Sequence, residues 1–338
     1  MKKIYLILIL LPVVFSCNCY GEYILPTFKP LDNTADIVFI ENIRGEPGSR
    51  ESEIIAIDAT TSKIVQIYRF NCGVFNITPK YSSLGYYYFV LKADRPMLIM
   101  LDIKSGTCRS VYNDTYIWSI GLDDLNRKVY FTDDYDHTNS YCYDLESNSL
   151  TNFTSIGAIS SDIIHFNDSV YCVSFIAQTK EYDPSTINTH CISNLTSQTK
   201  VELLYNLNPF KIYDNKYLVS LNNIKGGCVV HRINSVEPEI FTFIADELGM
   251  IDDIYENNEY IYLISGVNAT NAVTVIKKDD KTIVAKSQNM PEVIGGGKTV
   301  YKNGYAWAGA DQGSGDFYRI DTIDYDGDGV LEWKLFTN

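Results

Sequence analysis

Apolar residues along the chain come in short runs that are bounded by Asn, Asp, Gly and Ser. The runs are rich in Tyr, Ile, Val and Phe, which favour strands, and the polar residues between them favour turns. No stretch carries apolar residues at the i, i+3, i+4 and i+7 spacing of an amphipathic helix. The pattern therefore predicts an all-β protein.

One apolar strand core recurs seven times at intervals of about 40 to 50 residues, the period of a four-stranded propeller blade. The copies are residues 38–40, 88–90, 129–131, 170–172, 217–219, 260–262 and 305–307. One blade cannot bury both faces of its sheet, but blades stacked around an axis bury one another. We therefore predict a single β-propeller over residues 22–338, with seven four-stranded blades. The alternatives are six blades plus an irregular segment, and a β-sandwich array.

Residues 122–133 carry the most specific resemblance to known blades. They read Leu-Asp-Asp-Leu-Asn-Arg-Lys-Val-Tyr-Phe-Thr-Asp. This segment resembles the YWTD repeat of lipoprotein-receptor propellers, with Tyr-Phe-Thr-Asp in place of Tyr-Trp-Thr-Asp, and it is similar to blades of the gluconolactonase-type and NHL-type propellers. The resemblance implies the propeller fold and assigns no family.

Ring closure is expected to involve both ends of the domain. The seventh blade is expected to contain residues 305–336, and residues 23–36 are expected to add a strand to it. Closure of the ring removes the unpaired end blades that an open stack would leave.

The amino terminus has the order of a secretory signal peptide. Two lysines precede an apolar run over residues 4–15, and small and polar residues follow. The run is shorter than the roughly 20 residues of a membrane span, so we predict a cleaved signal over residues 1–21 and a secreted protein without an integral membrane segment. Cleavage near Ser16 and a retained signal anchor are alternatives. Residues 14–17 also resemble a lipobox, in which Cys17 would be acylated.

Cysteines and sequons both fit an exported protein. An even number of cysteines beyond the signal favours disulfides, and none of them has CxxC spacing. Symmetrical pairing of the hairpin around residues 170–192 predicts a bridge between Cys172 and Cys191. Six Asn-x-Ser/Thr sequons are candidate glycosylation sites, namely Asn76, Asn113, Asn152, Asn167, Asn194 and Asn268.

The formal net charge of −14 at pH 7 argues against nucleic acid as a partner. An acidic surface repels phosphate backbones and anionic headgroups, and the chain has no basic run to offset it. The charge is also sufficient explanation for the solubility of a secreted protein.

Residues 324–332, which read Asp-Tyr-Asp-Gly-Asp-Gly-Val-Leu-Glu, are the sharpest candidate metal site. The interleaved glycines allow φ > 0, so the alternating carboxylates can converge on one hard cation. We predict a structural Ca²⁺ ion whose ligands are Asp324, Asp326, Asp328, Glu332 and the backbone carbonyl of Val330.

An EF-hand is excluded, because its twelfth loop position would be Leu335 rather than Glu. The pattern resembles the calcium hairpin of FG-GAP propeller blades, in which an acid stands at the ninth position, here Glu332. The alternative is a solvated Asp-Gly turn.

No catalytic constellation stands out. Gly-x-Ser-x-Gly is absent, and the four histidines have no motif around them. The aromatic run 86–89 could stack on a sugar, but its strand period favours the core of a blade. We therefore predict an extracellular binding or adhesion module with a protein or glycan ligand. The alternative is a metal-dependent hydrolase or lyase with its site at the propeller axis.

Overall fold

The computed structural model describes most of the chain beyond its first 23 residues. The described ranges are 24–44, 51–70, 80–91, 97–113, 117–133, 140–153, 158–159, 163–166, 169–176, 189–197, 199–202, 211–213, 217–222, 227–232, 239–243, 251–265, 273–280, 282–288, 299–309 and 316–337. Regular structure in these ranges consists of strands, which form seven small sheets. None of the described residues forms a helix of the length and hydropathy that a membrane crossing needs. The predicted signal 1–21 and Cys17 lie outside the described residues.

The first three sheets follow one another along the chain and are antiparallel. Sheet one contains β1 (Ile37–Arg44), β2 (Glu51–Asp58) and β3 (Lys63–Arg69). Sheet two contains β4 (Lys80–Tyr81), β5 (Tyr86–Leu91), β6 (Met97–Asp102) and β7 (Thr107–Tyr112). Sheet three contains β8 (Ile117–Asp123), β9 (Lys128–Asp133), β10 (Ser140–Asp144) and β11 (Ser149–Phe153).

The next two sheets repeat this order. Sheet four contains β12 (Ala158–Ile159), β13 (Ile164–Phe166), β14 (Ser169–Ile176), β15 (Thr189–Asn194) and β16 (Thr199–Glu202), with β12 and β13 both paired to β14. Sheet five contains β17 (Lys211–Tyr213), β18 (Tyr217–Asn222), β19 (Gly227–Arg232) and β20 (Glu239–Phe243).

The last two sheets share the carboxyl-terminal residues. Sheet six contains β21 (Ile251–Glu256), β22 (Tyr260–Ser265), β23 (Val273–Lys277) and β24 (Ile283–Ser287). Sheet seven contains β25 (Val300–Lys302), β26 (Tyr305–Gly309), β27 (Phe317–Asp321) and β29 (Trp333–Phe336), while β28 (Val330–Leu331) pairs in parallel with β24 of sheet six.

The seven recurring cores lie in seven different sheets, as the repeat predicts. In sheets two to seven each core lies on a strand that is preceded by at least one other strand of the same sheet. These core strands are β5, β9, β14, β18, β22 and β26. In sheet one the core lies on β1, which is itself the edge strand of its sheet. Sheet one therefore has, within the described residues, no strand at the place that β4 or β25 takes in its neighbours.

Strands of sheet one are apolar on both faces because the sheet is packed on both sides. Ile37 and Phe39 belong to a cluster with β5 and β6 of sheet two, whereas Val38 and Ile40 pack with Trp307 of sheet seven. Alternate residues of a strand point to opposite faces, so this division follows from the register. A sheet buried on both faces reads as a continuous apolar run rather than as alternation.

Three further pairs of neighbouring sheets pack on each other in the same manner. Val90 of sheet two packs with Phe131 of sheet three, and Tyr130 of sheet three packs with Cys172 of sheet four. Residues of β22 and β23 form a cluster with residues of β26 and β27. The first strands of consecutive sheets also meet, since β8 lies beside β12 and β21 beside β25. These first strands therefore define the inner edge of the assembly.

The expectation that residues 23–36 complete the seventh blade is wrong. Phe28 N donates to Gly106 O at 2.7 Å and Leu31 N to Ile103 O at 3.0 Å, so this segment lies on sheet two. The ring of Phe28 meets those of Tyr68 and Phe70 edge-on, with centroids 5.1 and 5.2 Å apart. Burial of this aromatic ring between sheets one and two favours the observed position.

Side-chain hydrogen bonds join sheets one and seven. Lys302 Nζ donates to Ile37 O at 2.7 Å, and the Arg319 guanidinium donates to Ser62 Oγ. Sheet seven draws its four described strands from residues 300–336, so the described residues contain no strand that the first and last sheets share.

Candidate functional site

The candidate site is a cavity of about 260 Å³ at the inner edges of sheets one, two, six and seven. It lies beside the edge of β1 that faces away from β2, next to the first strands of sheets two, six and seven. Its lining residues are Ile37, Val38, Phe39, Glu41, Tyr81, Tyr87, Tyr255, Val300, Tyr301 and Lys302. The volume is just below the usual range of roughly 300–1,000 Å³ for drug-sized ligands, so the cavity suits a small group or the end of a larger one.

Aromatic rings form two opposite walls of this cavity. On one side Tyr81 stacks on Phe39 with ring centroids 4.7 Å apart, and Tyr87 lies 6.1 Å from Tyr81. On the other side Tyr255 and Tyr301 have centroids 4.3 Å apart. Tyrosine rings offer a flat apolar face and a polar hydroxyl, which suits both stacking and hydrogen bonding to a ligand.

A carboxylate and an ammonium group lie among these rings. Glu41 is 5% exposed, and its Oε1 accepts a hydrogen bond from Ser52 Oγ at 3.1 Å. Burial raises the pKa of the neighbouring Tyr87, and the Glu41 charge adds to the effect. Desolvation lowers the pKa of Lys302, with the Asp36 carboxylate opposing that shift. The cavity therefore offers a carboxylate at Glu41 and an ammonium group at Lys302, whose Nζ lies beside the carbonyl of Ile37.

Sequence reasoning missed this site, apart from one signal. The aromatic run 86–89 does lie in β5, and most of it is core, but Tyr87 also lines the cavity. The other lining residues come from strands far apart in sequence, and nothing local marks them. That the described part of sheet one has no strand inside β1 could be found only from the pairing of the strands.

The predicted calcium loop brings three of its carboxylates together. Oxygens of Asp324, Asp326 and Asp328 lie within 4.8 Å of one another, and Glu332 lies outside this group. Gly327 and Gly329 have φ of +75° and +81°, as the alternating glycines predict. Their backbone N–H groups both donate to Asp324, at 2.8 Å.

Hydrogen bonds and the closeness of the carboxylates shift the pKa values of the loop aspartates in opposite directions. Hydrogen bonds from the backbone, first of all that of Gly329, lower the pKa of Asp324. Contact with Asp324 raises the pKa of Asp326. The Val330 N–H donates to Asp328 Oδ1 at 2.8 Å. Carboxylates held this closely have the chemistry of ligands for a hard cation, because oxygen atoms are what Ca²⁺ binds.

The loop lies between sheets six and seven. Lys286 N donates to Gly329 O and Gln288 N to Leu331 O, both at 2.9 Å, which forms the parallel pair of β24 and β28. The Trp333 indole N–H then donates to Gln288 O at 3.3 Å. The acidic residues therefore sit beside a segment that ties the last two sheets together, away from the residues that line the cavity.

Of the four histidines, His165 has a described side-chain contact. Its Nε2 lies 2.6 Å from Oδ1 of Asp123, a buried residue that also accepts from Asn126. The next residue, Asp124, accepts from Ser82 Oγ of sheet two. Both carboxylates thus join neighbouring sheets. His137 lies outside the described residues, as do the side chains of His190 and His231.

No family model and no curated protein sequence matches the chain. Solved structures do. The β-propeller domain of the Trilobed protease from Pyrococcus furiosus superposes with a TM-score of 0.55 and 10% identity, covering 90% of this chain and 97% of that one. TolB from Acinetobacter baumannii gives a TM-score of 0.51 and 13% identity, covering 77% of this chain and 65% of TolB. The fold is a β-propeller. Likeness at such low identity establishes the fold alone, and the match spans just under two thirds of TolB.

The cysteine pairing predicted for this propeller rests on a wrong register. Cys172 lies opposite Ser193, and Cys191 lies opposite Ser174, because β14 and β15 pair two residues away from the symmetrical hairpin. The thiol of Cys172 is free and buried. Cys108 and Cys142 are free as well, and burial raises the pKa of their thiols to about 12 and about 11.

Three of the six sequons lie in described parts of the propeller. Asn113 and Asn152 are exposed, so an attached glycan would meet solvent. Asn194 is half-buried, and its Oδ1 accepts from the backbone N–H of Thr196 and Ser197 in the turn after β15. Asn76, Asn167 and Asn268 lie outside the described residues.

Proposed function

We propose that this protein is a secreted binding module in which a propeller presents a tyrosine-lined cavity to a protein or glycan ligand. The observation that carries the proposal is the cavity itself, where residues from four sheets bring aromatic rings around Glu41 and Lys302. Binding sites in proteins are concave and mostly apolar, with a few placed polar groups, and this cavity has that composition.

The catalytic alternative gains no support from the same residues. Glu41 is the one carboxylate among the described lining residues, whereas the three clustered aspartates lie in the loop between β27 and β29. A metal-dependent hydrolase would need its ligands beside the bound substrate. The binding module is therefore the interpretation that the cavity favours.

The experiment is a binding screen of the secreted protein against glycans and protein ectodomains, with and without EDTA. Replacing Tyr81 and Tyr301 with Ala should abolish binding of the ligand found, because one ring of each wall is lost. Tyr325 is 77% exposed and belongs to the calcium loop, so Tyr325→Ala is the matched control and should bind normally. Undiminished binding by the Tyr81 and Tyr301 variants would contradict a ligand site in the cavity.

Two further features belong to the proposal. We expect the seven sheets of the described residues to be seven blades, and an experimental structure that shows six blades around the axis would contradict this.

We also expect Ca²⁺ in the loop of Asp324, Asp326 and Asp328, where it would stabilise the parallel β24–β28 pair. Its role is structural, since the loop shares no residue with the cavity lining.

A further inference from the structure

The inner edge of β1 has the backbone geometry of an unfinished sheet. Ala59 N donates to Asp36 O at 2.8 Å, which fixes the alternation of hydrogen-bonded pairs between β1 and β2. Val38 and Ile40 accordingly bond to β2, and the N–H and C=O groups of Ile37 and Phe39 point the other way. No strand lies on that side of β1 within the described residues.

The edge groups of Ile37 are already engaged within the chain. Its N–H donates to Thr34 O at 3.2 Å, and its carbonyl accepts from Lys302 Nζ at 2.7 Å. The C=O of Glu41, on the same edge, faces Gly309 of β26, where a Cβ would lie 2.2 Å from it. Phe39, between Ile37 and Glu41, is buried and lines the cavity, so it is the edge position of this stretch that a ligand can reach. Buried backbone groups normally have hydrogen-bond partners, so the edge at Phe39 favours an occupant that supplies them.

The other six sheets show how such an occupant would run. Their innermost strands pair antiparallel with the strand that follows, and β25 ends at Lys302 just before β26 begins at Tyr305. An antiparallel strand beside β1 would therefore end near Ile37. At that place the Lys302 ammonium is available to a terminal carboxylate.

We propose that the ligand is the carboxyl-terminal end of an extended peptide, which adds to β1 at the place where the described residues of sheet one have no inner strand and puts its carboxylate at Lys302. This inference rests on the proposed function, because it names the class of ligand for the same cavity. Strand addition uses backbone bonds for affinity and pockets for side chains, and here Tyr81 and Tyr301 flank the added strand. Its side chains are apolar or aromatic, to match those rings.

The described residues before β1, from 24 onward, do not fill this place. Residues 28 and 31 bond to sheet two, and the Thr27–Thr107 bridge continues that pairing. The segment that would supply an inner strand by the rule of the other sheets is therefore committed elsewhere, which favours an outside peptide as the source.

The test uses fluorescein-Gly-Ser-X-X-X peptides, in which X is Val, Ile, Leu, Phe, Tyr or Trp, as free acids and as carboxyl-terminal amides. We expect fluorescence polarisation to find acids that bind about tenfold more tightly than their amides, the worth of a hydrogen bond to a charged group. Lys302→Met should erase the difference while keeping the apolar stem. Lys334→Met, on the outer strand of the same sheet, is the control and should keep it.

Backbone N-methylation separates strand addition from other modes of peptide binding. Methylation of alternate amides, those that face β1, should weaken binding by about tenfold or more, and methylation of the amides between them should not. Equal affinity of acids and amides for the unmodified protein, uniform effects of methylation, or no binding by any peptide would overturn the inference. A glycan whose binding depends on Tyr81 and Tyr301, with no peptide bound, would overturn it and leave the proposed function standing.

Discussion

Asp326 is the residue that best tests the calcium proposal, because its carboxylate lies within 4.8 Å of two others. A cation that binds only the folded protein stabilises it by about 2.7 kcal/mol at a hundredfold excess over Kd. EDTA should therefore lower the Tm by several degrees in scanning calorimetry, and Asp326→Ala should remove this sensitivity. Magnesium should substitute poorly, since it demands a tighter octahedral shell.

The control for this prediction is Asp279→Ala, which removes an exposed carboxylate from the turn between β23 and β24. Its melting curve should keep the full response to EDTA. Identical curves for the unmodified protein in EDTA, calcium and magnesium would instead identify a solvated turn.

Cys172 is fully buried between sheets three and four, and burial raises the pKa of its thiol. Because the thiolate is the reactive form, we expect no alkylation of Cys172 by iodoacetamide in the folded protein at pH 8.5. Full alkylation should follow in guanidinium chloride, as measured by mass spectrometry of peptides. A bridge between Cys172 and Cys191 in an unreduced digest would contradict the register of β14 and β15.

Among the elements, the segment before β1 depends on Gly106. That glycine has φ of +71°, and a Cβ there would lie 2.1 Å from Phe28 O. Gly106→Ala should therefore displace the segment, with about 1–2 kcal/mol lost to the left-handed backbone alone. Hydrogen exchange should become faster at the amides of Phe28 and Leu31, which bond to sheet two.

Gly304→Ala serves as the comparison for that element. Gly304 also has positive φ, +82°, but a methyl group there would have nothing within 4 Å. It should show the backbone cost without faster exchange at residues 28 and 31. Equal exchange in both variants would mean that the close contact of Gly106 with Phe28 does not hold the segment.

At the scale of the whole molecule, closure between sheets one and seven depends on a close backbone approach. A Cβ at Gly309 would lie 2.2 Å from Glu41 O, so β26 and β1 could no longer meet as they do. Gly309→Ala should lower the free energy of unfolding by about 1–3 kcal/mol, the usual cost of overpacking. Urea denaturation measures this, and an unchanged midpoint would contradict a tight closure.

Much of the fold could be predicted from local pattern. Residues such as 88–90 and 305–307 are apolar at every position because their strands have neighbours on both faces, and a strand of that kind can be predicted without knowledge of its partners. The regular spacing of these strand cores showed the repeat, and the length of the repeat predicted the propeller. The acidic loop is equally local, since alternating Asp and Gly between 324 and 329 require no distant residue to bring the carboxylates together.

The sequence by itself thus determined the strands, their repetition and the acidic loop. Tertiary structure alone decided where residues 24–36 lie, which partner Cys172 faces and that β1 is an edge strand among the described residues. Each of these depends on contacts between residues that are far apart in the sequence. Phe28 packs between sheets one and two, and the register of β14 and β15 follows from the pairing of whole strands. Residues 28 and 31 bond to sheet two and not to β1, and a linear pattern carries no record of that choice.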